Sequence, residues 1–308
     1  MNWKRKLLIL TGAAAILVGA CEVFNDSCPV TTPEVWGQIN VDLDIRRDYV
    51  RRCEAPVGNF LADALLNFDY DLQDPDTGAP INVRVALFNA GAIRDEVRCG
   101  EAGETRERIP KGAVTDQDIY QLMPFYQDAV VVVKMKGGQL LKILEHGVSS
   151  LTLEGQLSAE GHFLQVAGEL GIQVEVDCDG VAQILDSEGM NIETAGSRIK
   201  KVRIGDSSVI DPVDPATLEG IFYVATLDYL VGTDEHGVPN DGFAAFQEAD
   251  VEVFETHRPV IDIVKWWLQN YKTEESDKNY PRVDPAYPRL GFSNCEDYTG
   301  EYCEEVGG

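Results

Sequence analysis

The run Ala129 to Met135, AVVVVKM, limits the possible folds of this chain more than any other segment. β-Branched side chains favour extended backbone, and an extended segment that is apolar at successive positions has no face to give to water. A buried strand is therefore predicted, with further structure layered around it. Directly after it come Gly137-Gly138, and then Leu140, Ile143, Leu144 and Val148 fall on one face of a helix. Asn59 to Phe68 (NFLADALLNF) also has helical spacing and no breaker. Val83, Val85 and Leu87 alternate in NVRVALF as on a half-buried strand, and Ile172 to Val176, Ile199 to Ile204 and Ile221 to Leu227 are further strand candidates. A last helix, about Pro259 to Tyr271, carries Trp266 and Trp267. Strands and helices mix without strict alternation, which predicts a mixed α/β layered sandwich.

Charge narrows the partners. The 308 residues hold 26 Lys+Arg against 52 Asp+Glu, a formal net charge of −26. That field repels nucleic-acid backbones and argues against a polynucleotide partner. An anionic ligand would need arginines gathered locally to overcome it.

At the start, Lys4, Arg5 and Lys6 precede an apolar run from Leu7 to Val18 that is short for a membrane span. Val18-Gly19-Ala20-Cys21 resembles a bacterial lipobox, so residues 1–20 are predicted as a signal peptide and the Cys21 thiol as the site of lipidation. The alternative is a plain secretory peptide with an ordinary Cys21. Either route carries the protein out of the cytoplasm, and the first anchors it to a membrane facing periplasm or cell exterior. Residues 21–35 read as a polar linker, 36–292 as the folded body and 293–308 as an acidic, cysteine-containing tail. Without Cys21 the cysteines are Cys28, Cys53, Cys99, Cys178, Cys295 and Cys303, an even set that favours disulfides. Cys295 and Cys303 are near enough in sequence to close a small loop. No CxxC pair offers a zinc site. Asp69 to Gly78 lacks the full EF-hand pattern, so a solvated acidic loop is preferred there over a calcium site.

Gly- and Asn-bearing blocks sit at the edges of these elements. They are Arg51-Arg52-Cys53-Glu54 with Gly58-Asn59, then Asn89-Ala90-Gly91-Ala92-Ile93-Arg94, then Gly112 to Thr115 through Asp118-Ile119 to Pro124-Phe125. Gly161-His162-Phe163-Leu164-Gln165 through Gly168 follows, and last Tyr223 to Leu230 with Asp241-Gly242-Phe243. In this order the blocks resemble the C-terminal, substrate-binding domain of the 5′-nucleotidase and UDP-sugar hydrolase family, over roughly residues 45–292. The resemblance implies a nucleotide or nucleoside ligand. It places base-stacking rings at Phe163 and Tyr229, a ribose-binding carboxylate at Asp241, and phosphate-facing groups at Arg51, Asn89 and Arg94. Guanidinium forks suit phosphate, which meets the demand for local cations. Each residue also has a plainer reading, as core aromatic, surface ion pair or turn. The sequence departs from the family in a longer loop from Gly232 to Asp241, where Asp234 competes for the ribose role. It also departs at Ala90, which adds a methyl group close to the expected ligand.

Full-length members of that family hold two metal ions in an N-terminal metallophosphoesterase domain, on D-x-H, G-N-H-D/E and G-H-x-H motifs. The four histidines here, His146, His162, His236 and His257, do not form these motifs. Asp234-Glu235-His236 imitates the first but lies in the long loop, and His146 reads as a structural residue of its helix. No catalytic set, metal site or cofactor is expected, and no G-x-S-x-G, P-loop or H-E-x-x-H pattern is present. The leading expectation is a nucleotide- or nucleoside-binding lipoprotein of extracytoplasmic nucleotide catabolism or scavenging, non-catalytic alone or paired with a separate metallophosphoesterase chain. A phosphohydrolase in its own right, or a surface protein that has lost the pocket, are the alternatives.

Overall fold

The strand Ala129–Lys136 lies inside a five-stranded sheet of the computed structural model, with a partner on each edge. It pairs antiparallel with Ile221–Leu227 on one side and Glu252–Pro259 on the other. Val85–Asn89 adds parallel to Ile221–Leu227, and Leu164–Gly168 completes the sheet antiparallel to Val85–Asn89. The described residues are 29–30, 32–96, 105–151, 160–271, 280–281, 283–284 and 286–295. The signal segment with Cys21, and also Cys28, Cys99 and Cys303, lie outside them.

Helices cover opposite faces of this sheet. A Cβ on Gly58, in the helix Pro56–Asn67, would sit 2.3 Å from the Gln165 side chain. One on Gly147, at the end of the helix Gly137–Gly147, would lie 3.2 Å from Leu164. Consecutive strand side chains point to opposite faces, so the two helices sandwich the sheet. The helix Val260–Asn270 packs beside Pro56–Asn67. A second, four-stranded sheet runs Ser208–Ile210, Ile199–Ile204, Ile172–Asp177 and Leu290–Ser293. The chain enters it from the first sheet through the turn at Leu170 (φ 59°) and Gly171 (φ 102°). The fold is thus mixed α/β with several sheets.

Several expectations are corrected. Val85–Asn89 is buried at every position rather than on one face, because Ala86 and Phe88 are covered as fully as Val85 and Leu87. Leu164–Gly168, not among the strand candidates, is a fully buried edge strand. Cys295 does not close a small loop with Cys303. It is bonded to Cys178, 117 residues away, because Leu290–Ser293 lies parallel beside Ile172–Asp177 and brings the two cysteines together. Cys53 is disulfide-bonded as well. The acidic loop Asp69 to Gly78 is exposed over most of its length, as expected, with one buried carboxylate. The Asp74 carboxylate is buried, accepts from the Asp76 and Thr77 N–H groups and from the Tyr223 hydroxyl, and pairs with Lys134 at 3.1 Å.

Candidate functional site

Val85–Asn89 and Ile221–Leu227 run in the same direction, so the loops that follow them leave the sheet at one end. The antiparallel strands Ala129–Lys136 and Leu164–Gly168 begin at that same end. Four of the sequence blocks therefore converge there. Open α/β sheets place ligands at such carboxyl ends of parallel strands.

The Asn89–Arg94 block continues the ladder beyond its strand. Ala90 N–H donates to Phe163 O at 2.8 Å and Gly91 N–H to Gly161 O at 2.9 Å. A Cβ on Gly91 would lie 2.9 Å from Gly161 Cα, so only glycine permits this approach. The Ala90 methyl is fully buried and not at the surface of the site. Asn89 Nδ2 reaches Asp241 Oδ2 at 3.5 Å, while Asn89 Oδ1 is buried with no hydrogen-bond partner. Arg94 is fixed by its N–H to Leu122 O at 3.0 Å, and its guanidinium carbon lies 5.4 Å from the centre of the Phe125 ring.

Tyr229 follows the Ile221–Leu227 strand and is 41% exposed. Its hydroxyl donates to Asp241 Oδ1 at 3.1 Å. Burial, and then the charge of Asp241, push that hydroxyl up to about 12, so it remains a donor. Asp234 does not compete for this place. Its Oδ1 accepts from the His236 and Val238 N–H groups and closes its own loop.

Arg51 is positioned from a distance. Gln165, fully buried in the edge strand, donates from Nε2 to Val50 O and Cys53 O at 2.8 Å each. Its Oε1 accepts from Ala55 N–H at 3.1 Å. The backbone of the Arg51 loop is thereby bound to the sheet on both sides of Arg51. Burial, reinforced by the neighbouring Arg47 and Arg94 charges, lowers Arg51 to about 10, with Asp241 and Glu160 opposing. It remains a cation at neutral pH. Glu54, in the same loop, is buried and accepts from Asn59 Nδ2 (2.7 Å) and from the backbone N–H groups of Arg289 (2.7 Å) and Leu290 (3.2 Å).

The structure thus brings together Arg51, Asn89, Arg94, Tyr229 and Asp241. It does not place Phe163 with them as an open ring. Phe163 is 2% exposed, because its carbonyl extends the ladder to Ala90 and its ring turns into the core. The exposed aromatic at this end of the sheet is Phe125, 40% exposed in the turn before Ala129–Lys136. Pro124-Phe125 belongs to one of the sequence blocks, but no motif assigns this ring a role. Gln165, the residue of the Gly161 block that serves the site, is likewise given no role there. Among the described residues, no group of three or more His, Cys, Asp or Glu could hold a metal ion. Nor is any helix among them long and apolar enough to cross a membrane.

Residues 35–247 match the family described as 5′-nucleotidase, C-terminal domain. A trifunctional nucleotide phosphoesterase of Bacillus subtilis is 28% identical over 220 residues, covering 70% of this chain and 11% of that protein. An apyrase of Aedes aegypti is 25% identical over 217 residues, covering 70% and 30%. Among solved structures, a 5′-nucleotidase precursor from Thermus thermophilus superposes with a TM-score of 0.58 at 24% identity, covering 85% of this chain and 40% of that one. The NAD nucleotidase of Haemophilus influenzae gives 0.53 at 18% identity, covering 84% and 38%. The chain therefore spans well under half the length of these proteins, and the structural likeness concerns the fold.

Proposed function

The chain belongs to the 5′-nucleotidase C-terminal domain family, and from that premise we propose that it binds nucleotides or nucleosides at the carboxyl end of its five-stranded sheet. One arrangement carries the reading. Two open aromatic rings each stand beside a charged group suited to another part of a nucleotide: Phe125 beside Arg94, and Tyr229 bonded to Asp241. Rings stack on a base, a carboxylate accepts from ribose hydroxyls, and guanidinium groups pair with phosphate. Arg47 and Arg94 both act electrostatically on Arg51, so cations gather here in a chain of net charge −26, which suits an anion. The names of the relatives, a nucleotide phosphoesterase and an apyrase, agree with this ligand class.

On this reading the described site supplies recognition, and hydrolysis belongs to a metallophosphoesterase unit outside these residues. The four histidines and their lack of two-metal motifs favour that division. The lipobox-like segment supports anchoring through Cys21 on the far side of the inner membrane, in nucleotide catabolism or scavenging. Calorimetry of the purified protein with adenosine and AMP, with and without divalent metal, tests the proposal. Saturable binding of both ligands without metal, and no phosphate release, is the expected result. No binding at millimolar ligand would overturn the ligand class, and phosphate release that tracks the protein through repurification would overturn the division of labour.

A further inference from the structure

We propose that His146 is a positioning residue of this site: its imidazole, bonded to the backbone of Asp241, holds that carboxylate in the orientation that recognises the ribose diol, without touching ligand itself. The proposal rests on the nucleotide-binding reading above.

Asp241 adopts φ 49° and ψ 16°, the left-handed region that side-chain-bearing residues seldom occupy, and Gly242 follows at φ 79°. The turn that presents the carboxylate to Tyr229 and Asn89 needs to be held. His146 reaches it from the helix Gly137–Gly147 on the sheet's face, with Nε2 2.7 Å from Asp241 O. The ring also lies against the turn. A Cβ on Gly242 would sit 2.9 Å from both Cε1 and Nε2, and the Phe243 ring meets the imidazole edge to face at 4.8 Å. His162 covers it at 4.7 Å between centroids.

A carbonyl only accepts, so Nε2 carries the proton and Nδ1 holds a lone pair. That Nδ1 is buried with no hydrogen-bond partner. A desolvated, unpaired nitrogen is costly, and a phenyl ring would fill the same space without one. The imidazole is therefore explained by its bond to Asp241 rather than by its volume. The other groups facing the ring leave it neutral. Burial holds His146 below the ordinary imidazole range, opposed by Asp241, and holds His162 down to about 3. Glu145, next to it in the helix, is occupied by the Arg198 and Ile199 N–H groups.

The test compares His146→Phe, which fills the space without donating, with His146→Gln, whose amide can donate to the same carbonyl. Adenosine and 2′,3′-dideoxyadenosine are titrated into each by calorimetry, and amide hydrogen exchange is followed by mass spectrometry. His146→Phe should weaken adenosine about tenfold, the scale of one hydrogen bond, and leave dideoxyadenosine unchanged. His146→Gln should restore most of the adenosine affinity. Exchange should quicken at 240–243 in the Phe variant while Ala129–Lys136 keeps its protection. Equal losses for the two ligands, or unaltered exchange at 240–243, would overturn the proposal. A wild-type protein that does not prefer adenosine would instead overturn the reading of the site, and the exchange data would still decide whether His146 holds the turn.

Discussion

Replacing Phe125 and Phe163 separately by alanine distinguishes a ring open to ligand from a ring that holds the core. Phe125 is 40% exposed and packed against the Arg94 guanidinium, so its loss should leave stability within about 0.5 kcal/mol of wild type, as for most surface positions. If the ring stacks on the base, binding should weaken by about 1–3 kcal/mol, a change of roughly 5- to 150-fold in Kd. The loss should be shared by adenosine and AMP, because the base is common to both. Phe163 is 2% exposed, and its truncation opens a cavity beside the Leu164–Gly168 strand that should cost about 3–5 kcal/mol of stability. Its effect on binding should be small at temperatures where the variant remains folded. Urea denaturation gives the first quantity and calorimetry the second. The reasoning fails if Phe163→Ala abolishes adenosine binding at unchanged stability, or if Phe125→Ala binds as wild type does.

Arg94→Ala should weaken AMP more than adenosine, with the difference shrinking as salt rises; calorimetry that found equal losses would move phosphate elsewhere. Asp128 is pushed up to about 6 by burial and by the charge of Asp228, above its unfolded value, so ionising it costs stability progressively as pH rises from about 4 through 6. Discounting for its partial exposure, Asp128→Asn should gain about 1–2 kcal/mol at pH 8 and nothing near pH 3.5, and denaturation curves showing the same gain at both would refute the assignment. Replacing Cys178 and Cys295 together by serine should cost about 2–5 kcal/mol, read from the shift in the urea midpoint against wild type. Cys21→Ser should move the protein from the membrane fraction to the soluble one; persistence in salt-washed membranes would show that the anchor lies elsewhere.

What was legible in the sequence was what is local. The AVVVVKM strand and the helices around Leu140 and Leu61 announce themselves by spacing alone, because each buries a face defined within a few residues. Arg51, Asn89, Arg94, Tyr229 and Asp241 are singled out by the blocks, and the fold gathers them because two parallel strands end together. Non-local features were misjudged. The exposure of a ring depends on what covers it, so Phe163 and Phe125 cannot be told apart by motif. Gln165 acts on carbonyls 112 and 115 residues away, and no pattern around it signals that reach. Cys295 looked like a partner for its neighbour in sequence, whereas a strand alignment across 117 residues decided the bond.

Glu54 joins the loop that carries Arg51 to the last strand of the second sheet, through the N–H groups of Arg289 and Leu290. Its carboxylate is buried, and burial raises its proton affinity against the pull of Asn59 and of those late residues. A chain emerging in order from its N-terminus makes Arg51 early but cannot complete the cradle around Glu54 until Leu290 has arrived. Until then the carboxylate keeps its water and the Arg51 loop lacks one of its fastenings. The arginine loop is therefore completed by residues more than 230 positions further along the sequence, and shortening the chain before Arg289 should loosen that loop.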